Sequence, residues 1–321
     1  MTKVFDSIND IYFHSLNELQ RNGRFVNSVI DSSSVGSSFG KGSRDFIELQ
    51  GFTFQLSNPR NRLVFSEHRK LSMGFNIANF IWFMSGNRDV EPISFYNKMG
   101  KVFSNNGKYY EAAFGDRIFG SYKLIEYAKN LLLADATSRR VLIPLFFPDD
   151  LINLPNDTPC ASSIQIMIRD NKLDFFLHMR SQSVIMVFPY DIFLFTMLHE
   201  YLSLLMKKDL GTFNYYANSF HYYTEEEKIL TDILSEDLSL PSQMDRMPIS
   251  TIDEISNIIE FEKYVRSSVL NKTQIKGNNL DLFSDYWKEL MILLCAKAEI
   301  ENGFQSSKFA SKYLTIDKLF L

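Results

Sequence analysis

Residues 158–183, TPCASSIQIMIRDNKLDFFLHMRSQS, decide the fold class of this chain. The segment contains two runs that are rich in residues favoured in β-strands, residues 163–169 and residues 173–180. Asp170 and Asn171 lie between the runs, and both residue types tolerate the left-handed backbone conformation of a tight turn. The pattern therefore predicts an antiparallel β-hairpin.

The rest of the chain mixes helical and strand patterns. Apolar residues at helical spacing or in dense runs predict six helices, at residues 7–22, 71–84, 122–133, 191–208, 252–265 and 282–300. Two further strands are predicted, at residues 46–56 with a break at Gly51, and at residues 212–223. The Ser- and Gly-rich residues 28–43 predict a loop, either one that closes over a ligand or a plain linker. Because strands and helices do not alternate regularly, we predict an α+β fold with a mixed sheet.

The composition is typical of a globular protein with little net charge. Of 321 residues, 45% are apolar and 22% are charged. Lys and Arg total 34 against 38 Asp and Glu, which gives a net charge of -4. This charge provides no global positive field for a nucleic acid or an anionic membrane, so we expect neither as a partner. An anionic ligand would have to be bound by local groups.

Neither a targeting segment nor a membrane span is predicted. The N-terminus, MTKVFDSIND, lacks a long apolar stretch. The most apolar run, residues 185–206, contains Asp191, His199 and Glu200, and charged groups are costly inside a bilayer. Two cysteines are too few for a disulfide framework or a four-ligand zinc site. We therefore predict a cytoplasmic protein without a metal site.

Cys160 is the first candidate for chemistry. It precedes the first strand of the hairpin and Arg180 ends the second strand, so strand pairing brings the thiol towards the guanidinium. A neighbouring positive charge favours the thiolate, which is the nucleophilic form. A free cysteine is nevertheless more often an inert core residue, and we interpret Cys295, in the apolar run MILLCAKA, in that way.

Several arginines form a second signal: Arg44, Arg139, Arg140 and Arg180. Arginine offers paired hydrogen bonds to phosphate oxygens, so arginines from distant positions can build a phosphate site without a glycine-rich loop. The alternative is that the adjacent pair Arg139 and Arg140 simply lies on a solvated face.

Taken in order, several segments resemble the thymidylate synthase and pyrimidine hydroxymethylase family. They are T-P-C-A-S-S-I-Q-I, R-D-N-K-L, M-R-S-Q-S, F-P-Y-D-I-F and G-T-F-N-Y-Y-A-N-S. Upstream, residues 81–86 are similar to the family segment L-W-F-L-x-G, and residues 138–140 to its S-R-R. The resemblance covers residues 5–224, so we predict a catalytic domain over residues 1–224. Residues 225–321 are predicted to be a helical extension packed on the core.

The resemblance implies a homodimer that binds a pyrimidine nucleoside monophosphate. In the family, the mixed sheet packs against the same sheet of a second subunit. The residues assigned to the phosphate are Arg44, Arg139, Arg140, Arg180 and Ser181. Arg139 and Arg140 would act in trans, in the active site of the partner, and Lys41 is an alternative to Arg44. For the sugar, the resemblance assigns Asn214 and Tyr216, with His221-x-Tyr223 as a weaker alternative.

The resemblance also implies the reaction. Cys160 would add to C6 of the pyrimidine, assisted by Arg180, and C5 would then attack the one-carbon unit of 5,10-methylenetetrahydrofolate. Hydride transfer ends this sequence in a methyl group, whereas water ends it in a hydroxymethyl group.

Asp191 indicates which base is bound. Thymidylate synthases have asparagine here, in P-F-N, and this chain has Pro189-Tyr190-Asp191. A carboxylate accepts a hydrogen bond from the 4-amino group of cytosine but opposes O4 of uracil, and such a mismatch costs about 1 to 3 kcal/mol. We therefore predict folate-dependent C5 hydroxymethylation of CMP or dCMP. The alternative is that Asp191 is only a helix cap.

Four positions depart from the family pattern. Asn79 replaces a glutamate that organises proton transfer, so it takes that place among the predicted catalytic residues, and Phe114 replaces a tyrosine. Glu111 is a possible substitute acid or base. On the folate side, Ser183 replaces an aspartate and Val187 a glycine. These changes leave two alternatives open: a family member that binds a nucleotide with altered or lost catalysis, or a thymidylate synthase acting on dUMP.

Overall fold

A computed structural model of the chain describes residues 2–28, 44–104, 106–120, 122–152, 158–236 and 243–303. Lys41 and most of the predicted Ser- and Gly-rich loop lie outside the described residues. The last 18 residues of the predicted helical extension, 304–321, lie outside them as well.

Within the described ranges, seven strands form one mixed sheet. They are β1 (Lys3–Phe5), β2 (Arg24–Val26), β3 (Phe46–Leu56), β4 (Leu142–Pro144), β5 (Ala161–Arg169), β6 (Lys172–Ser183) and β7 (Asp209–Tyr223). The strand order is β1-β3-β7-β6-β5-β4, and β2 also pairs with β3. β1 with β3 and β6 with β7 are parallel pairs, and the other pairs are antiparallel. The predicted mixed sheet is confirmed.

The predicted hairpin is formed by β5 and β6. Asp170 and Asn171 occupy its turn with φ of 48° and 62°, in the left-handed region that these residue types tolerate. A register shift between Ala161 and Ser163 interrupts the pairing near the start of β5. Beyond it, the Arg180 amide donates to the Cys160 carbonyl at 2.8 Å, which fixes these two residues opposite each other.

The described helices surround the sheet. They are α1 (Ile8–Asn22), α2 (Met73–Met84), α3 (Val90–Tyr96), α4 (Phe114–Phe119), α5 (Leu124–Ala134), α6 (Asp149–Ile152), α7 (Phe188–Leu205), α8 (Glu227–Leu234), α9 (Thr251–Leu270) and α10 (Asp285–Glu301). α1 begins where the Ser7 hydroxyl accepts from the Asn9 amide, and α2 begins where Ser72 caps the Phe75 amide. All six predicted helices are present, with ends that differ by a few residues.

Two details of the predicted elements were wrong. β3 is not broken at Gly51, because Gln50 and Phe52 both keep their pairing with β7. Gly51 has a φ of 70°, which glycine adopts without a steric penalty, so the strand continues through it. α7 begins at Phe188 and ends at Leu205, three residues earlier at each end than predicted.

The core is continuous between the sheet and the C-terminal helices. Phe54, Phe188 and Tyr215 pack together on the sheet, with the rings of Phe54 and Tyr215 stacked at 4.7 Å. Phe80 of α2 stacks on Trp287 of α10, with the ring centres 6.1 Å apart. α9 and α10 therefore share the core of the preceding residues. Among the described helices, none combines the length and the apolar character that a bilayer span requires.

A buried ion pair fixes the middle of α7. Glu200 accepts from Arg60 Nε at 2.7 Å and from the Met247 amide at 3.1 Å, and it pairs with Arg62. Glu200 and Arg62 are each 1% exposed. Burial raises the pKa of Glu200, but the charges of Arg62 and Arg60 outweigh burial and hold the pKa below its ordinary value.

Glu200→Gln is expected to lower the free energy of unfolding by about 3 to 5 kcal/mol, because Arg62 would remain a buried charge without its counter-ion. The matched control is Glu260→Gln, which removes an exposed ion pair with Lys263 and is expected to change stability by less than about 1 kcal/mol. Urea unfolding followed by tryptophan fluorescence measures both. Equal losses in the two variants would contradict a stabilising role for the buried pair.

Candidate active site

Arg180 organises the segment that carries the predicted nucleophile. Its Nε donates to the Pro159 carbonyl at 2.8 Å, and its Nη2 donates to the Thr158 carbonyl at 2.9 Å. Nη2 also lies 3.9 Å from Cys160 Sγ. One guanidinium therefore holds the backbone before β5 and places positive charge beside the sulfur, which favours the thiolate.

Cys160 is exposed and Cys295 is buried, so only the first of the two thiols can meet a solvent-borne ligand. This agrees with the interpretation of Cys295 as a core residue in α10. Burial raises the pKa of the Cys295 thiol above its ordinary range, which keeps it protonated.

The end of β7 brings a second group of residues to Cys160. The Arg44 guanidinium lies 3.5 Å from the centre of the Tyr223 ring and pairs with Glu225. His221 pairs with Ser183, three residues beyond Arg180 on β6, and the charges of Arg44 and Arg180 add to the effect of burial in lowering the pKa of its ring. Arg44 and Arg180 lie far apart in the sequence. Both are near the end of β7, where the Tyr223 ring packs against Arg44.

His221 is neutral at physiological pH. It is 7% exposed, and burial lowers the pKa of its ring to about 4. Its Nδ1 is buried and has no hydrogen-bond partner among the described residues. Glu48, which pairs with His221 across β3 and β7, accepts from the Ser219 hydroxyl at 2.6 Å. An unsatisfied ring nitrogen beside the site is a candidate contact for a ligand hydroxyl.

Asp191 lies in the first turn of α7 and faces a polar pair. Gln182 Nε2 donates to Asp191 Oδ2 at 3.0 Å, and the Tyr215 hydroxyl donates to Gln182 Oε1 at 3.1 Å. Burial raises the pKa of the Asp191 carboxyl to about 7, although the hydrogen bond from Gln182 opposes this shift. Burial also raises the pKa of Tyr215, and the charges of Asp191 and Cys160 add to that shift. The Tyr215 hydroxyl is therefore linked to the Asp191 carboxyl through Gln182.

Asp191 is not a helix cap. The N-cap of α7 is Val187, and the Asp191 amide donates to the Val187 carbonyl at 3.0 Å as an ordinary helical residue. The contact that the Asp191 side chain makes is to another side chain, that of Gln182. The cap interpretation is therefore wrong, and the role of the carboxyl in base recognition stays a prediction.

Asn214 and Tyr216 lie on β7, beside the strand that carries Arg180. They pair with Phe176 and His178 in the middle of β6, whereas Ser181 pairs with Ser219. Asn214 is hydrogen-bonded to Gln55 at 2.8 Å. The assignment of Asn214 and Tyr216 to the sugar stays a prediction, as does the alternative pair His221 and Tyr223.

Arg139 and Arg140 are exposed and lie far from Cys160 of their own chain. They precede β4, where Leu142 pairs with Gln165, five residues along β5 from Cys160. At about 3.3 Å per residue, this separation is roughly 17 Å. Ser181 is partly buried and follows Arg180 on β6.

The predicted acid and base residues lie on the helical side of the sheet. Asn79 is partly buried in α2. Glu111 precedes α4, and its Oε2 is buried without a hydrogen-bond partner among the described residues. Phe114 packs its ring 5.7 Å from that of Phe195 in α7. The catalytic roles of Asn79 and Glu111 stay predictions.

The family model described as thymidylate synthase matches residues 25–268. The chain belongs to the thymidylate synthase family. The match continues beyond residue 224 into α8 and α9, and the domain boundary at residue 224 stays a prediction. Members of this family transfer one-carbon groups and use 5,10-methylenetetrahydrofolate.

Two curated relatives are deoxyuridylate hydroxymethyltransferases of phages. The relative from Delftia phage PhiW-14 is 27% identical over 220 residues, which cover 63% of this chain and 60% of the relative. The relative from Bacillus phage SP01 is 24% identical over 203 residues, which cover 58% of this chain and 53% of the relative. The chain thus spans less than two thirds of the length of these relatives.

A solved structure, the thermostable thymidylate synthase A from Bacillus subtilis, has the same fold. It has a TM-score of 0.57 and 18% identity, and the match covers 75% of this chain and 86% of that chain.

In this thymidylate synthase family member, a buried polar atom lies next to partly exposed apolar residues at the turn between β6 and α7. Ser183 Oγ is buried without a hydrogen-bond partner among the described residues. Beside it, Met186 and Val187 are 41% and 39% exposed. Arg69 anchors this turn by donating to the carbonyls of Ile185 at 2.8 Å and Met186 at 3.0 Å. The Ser183 hydroxyl next to the apolar side chains of Met186 and Val187 suits a flat aromatic ring that forms hydrogen bonds at its edge.

Proposed function

We propose that the protein hydroxymethylates C5 of a cytosine nucleotide, CMP or dCMP, with 5,10-methylenetetrahydrofolate as the one-carbon donor. The observation that carries this proposal is the Asp191 carboxyl, which accepts a hydrogen bond from Gln182 on one oxygen, together with the exposed Cys160 thiol beside Arg180. A cysteine nucleophile and an anionic base reader in one site match the chemistry of a cytosine substrate.

Cys160 supplies the nucleophile. Its thiolate adds to C6 of the pyrimidine, and the C5–C6 electron pair becomes available at C5 to attack the one-carbon unit. The folate would supply the methylene equivalent. After the C5 proton and the carrier amine have left, water adds to the exocyclic methylene at C5, and the thiolate departs from C6 to release the hydroxymethylated nucleotide. Arg180 stabilises the thiolate from 3.9 Å and keeps the backbone of residues 158–160 in place for attack.

The phosphate is proposed to bind Arg44, Arg180 and Ser181, with Arg139 and Arg140 contributed by a second subunit. The roughly 17 Å between Cys160 and the start of β4 supports a role in trans, because neither arginine is close to its own thiol. Asn214 and Tyr216 are proposed to contact the sugar, with His221 and Tyr223 as the alternative pair. Ser183, Met186 and Val187 would hold the folate.

The test is incubation with C5-tritiated CMP, dCMP or dUMP and 5,10-methylenetetrahydrofolate. Release of tritium reports attack at C5, and mass spectrometry of the nucleotide distinguishes a hydroxymethyl from a methyl product. A hydroxymethylated cytosine nucleotide supports the proposal. Tight nucleotide binding without tritium release would instead identify a family member without turnover, and a methylated dUMP product would identify a thymidylate synthase.

A second candidate is hydroxymethylation of dUMP. Burial raises the pKa of Asp191 to about 7, and a protonated carboxyl can donate to O4 of uracil. The two phage relatives named above as deoxyuridylate hydroxymethyltransferases also favour this substrate. The same assay distinguishes it by hydroxymethylated dUMP as the main product.

The proposed trans arrangement predicts complementation between two inactive variants. Cys160→Ala lacks the nucleophile, and the double variant Arg139→Ala with Arg140→Ala lacks the donated phosphate ligands. After mixing and subunit exchange, a mixed dimer contains one complete site, so tritium release is expected to return. Mixing Cys160→Ala with Arg180→Ala is the control. Each site takes both of these residues from the same chain, so a mixed dimer still has no complete site. No recovery in the first mixture, or equal recovery in the control, would contradict the arrangement.

A further inference from the structure

We propose that Gln182, fixed by Tyr215, is a positioning residue that determines which oxygen of Asp191 meets the base, and thereby sets the preference between cytosine and uracil nucleotides. This inference rests on the proposed function, because it assumes that Asp191 reads the pyrimidine.

The hydrogen bonds among the three side chains run in one direction. The Tyr215 hydroxyl donates to Gln182 Oε1 at 3.1 Å, and Gln182 Nε2 donates to Asp191 Oδ2 at 3.0 Å. An ionised carboxylate only accepts hydrogen bonds, so the amide must present its NH2 group to Asp191. Its carbonyl oxygen then faces Tyr215, whose hydroxyl is able to donate. Tyr215 therefore fixes the orientation of the amide.

These side chains are held tightly in the core. Gln182 and Tyr215 are each 2% exposed. The Tyr215 ring stacks on Phe54 at 4.7 Å and lies at a right angle to the Phe188 ring at 5.7 Å. Because the phenol cannot turn away without disturbing this packing, the amide has a fixed neighbour on its carbonyl side.

The consequence for Asp191 is that its two oxygens are not equivalent. Oδ2 is occupied by the donor from Gln182, so a proton on the carboxyl belongs on Oδ1. An ionised Oδ1 accepts from the 4-amino group of cytosine, whereas a protonated Oδ1 donates to O4 of uracil. If the amide turned over, its oxygen would oppose Oδ2 and favour protonation there, which would leave Oδ1 an acceptor in both states.

The experiment measures the dissociation constants of dCMP and dUMP by calorimetry for the wild type, Gln182→Met and Tyr215→Phe. Each variant removes one donor with little change of side-chain volume. The ratio of the two dissociation constants is expected to change by at least about fivefold in both variants. Tyr222→Phe is the matched control on β7, because Tyr222 is also buried, at 5% exposure, and is outside this chain of hydrogen bonds. Its ratio is expected to equal that of the wild type.

A purely structural role would move stability without moving the ratio. Repeating Gln182→Met in the Asp191→Ala background is therefore expected to leave the ratio equal to that of Asp191→Ala alone, since Gln182 acts through the side chain at position 191. Thermal unfolding establishes that Gln182→Met and Tyr215→Phe are folded. An unchanged ratio of the two dissociation constants in both folded variants would overturn the inference. A shifted ratio in a protein that releases no C5 tritium would support the inference and contradict the proposed catalysis, so the two failures are distinguishable.

Discussion

Cys160→Ala is expected to reduce C5 tritium release by a factor on the order of 10³ or more, because it removes the only proposed group that forms a bond to the substrate. Nucleotide binding is expected to change by less than about threefold, since the phosphate and base contacts come from other residues. Rapid-quench tritium release measures the first quantity, and calorimetry measures the second. The proposal requires the rate of tritium release to fall while the nucleotide dissociation constant stays nearly the same.

The other cysteine of the chain provides the control for this substitution. Cys295→Ala removes a buried thiol from α10, and we expect reduced stability with tritium release per folded molecule unchanged. Cys160→Ser is a further comparison, because a serine hydroxyl is a far weaker nucleophile than a thiolate at neutral pH. Tritium release in Cys160→Ala equal to that of the wild type would remove Cys160 from the reaction.

Asp191→Asn is expected to shift the preference between dCMP and dUMP towards dUMP by about 5- to 150-fold in the ratio of kcat/KM. The range corresponds to the cost of about 1 to 3 kcal/mol for one unmatched buried polar pair. Asparagine can donate to O4 of uracil, whereas its NH2 group opposes the amino group of cytosine. Parallel assays with both nucleotides measure the ratio directly.

The wild-type ratio of kcat/KM for dCMP to that for dUMP is also expected to depend on pH. The direction of the change follows from the raised pKa of Asp191. Below about 7 the Asp191 carboxyl is protonated and suits uracil, and above about 7 it is ionised and suits cytosine. The kcat/KM of dCMP relative to dUMP should therefore increase from about pH 6 to about pH 8. The nucleotide phosphate, His221 and Cys160 affect both substrates alike, so their titration cancels in the ratio.

Asp191→Asn is the control for the pH profile, because an amide does not titrate and its ratio is expected to stay flat. Glu260→Gln, on the exposed face of α9, should retain the wild-type slope. A ratio that is independent of pH in the wild type would show that the carboxyl keeps one protonation state, or does not contact the base.

The hairpin and the pairing of Cys160 with Arg180 were predictable because both depend on local sequence. Residues that favour strands flank two residues that tolerate a left-handed turn, and antiparallel pairing then determines which residues are opposite. The same argument identified the exposed Cys160, rather than Cys295, as the candidate nucleophile.

The sugar pair and the base-positioning pair depend on contacts that local sequence does not specify. β6 and β7 are parallel and are separated in the chain by the whole of α7, so their register follows from packing of the intervening helix. The family motif assigns Asn214 and Tyr216 to the sugar, and this register pairs Tyr216 with His178, two residues before Arg180. Gln182 and Tyr215 gave no signal, because a glutamine after an arginine and a tyrosine in a strand are ordinary. Only the three-dimensional pairing makes them neighbours of Asp191.

α7 joins the substrate end of the molecule to its most deeply buried charges. Asp191 and Glu200 are nine residues apart on this single helix, which is about 13 Å of axial rise. Lengthwise sliding of the helix would have to break the contacts of Glu200 with both arginines, so the axial position of the carboxyl at the substrate end is anchored from a distance. Mutations that weaken these contacts are expected to reduce the proposed discrimination between nucleobases, even though they lie away from Asp191. Substitutions in the loop that carries Arg60 and Arg62 could therefore change the substrate preference.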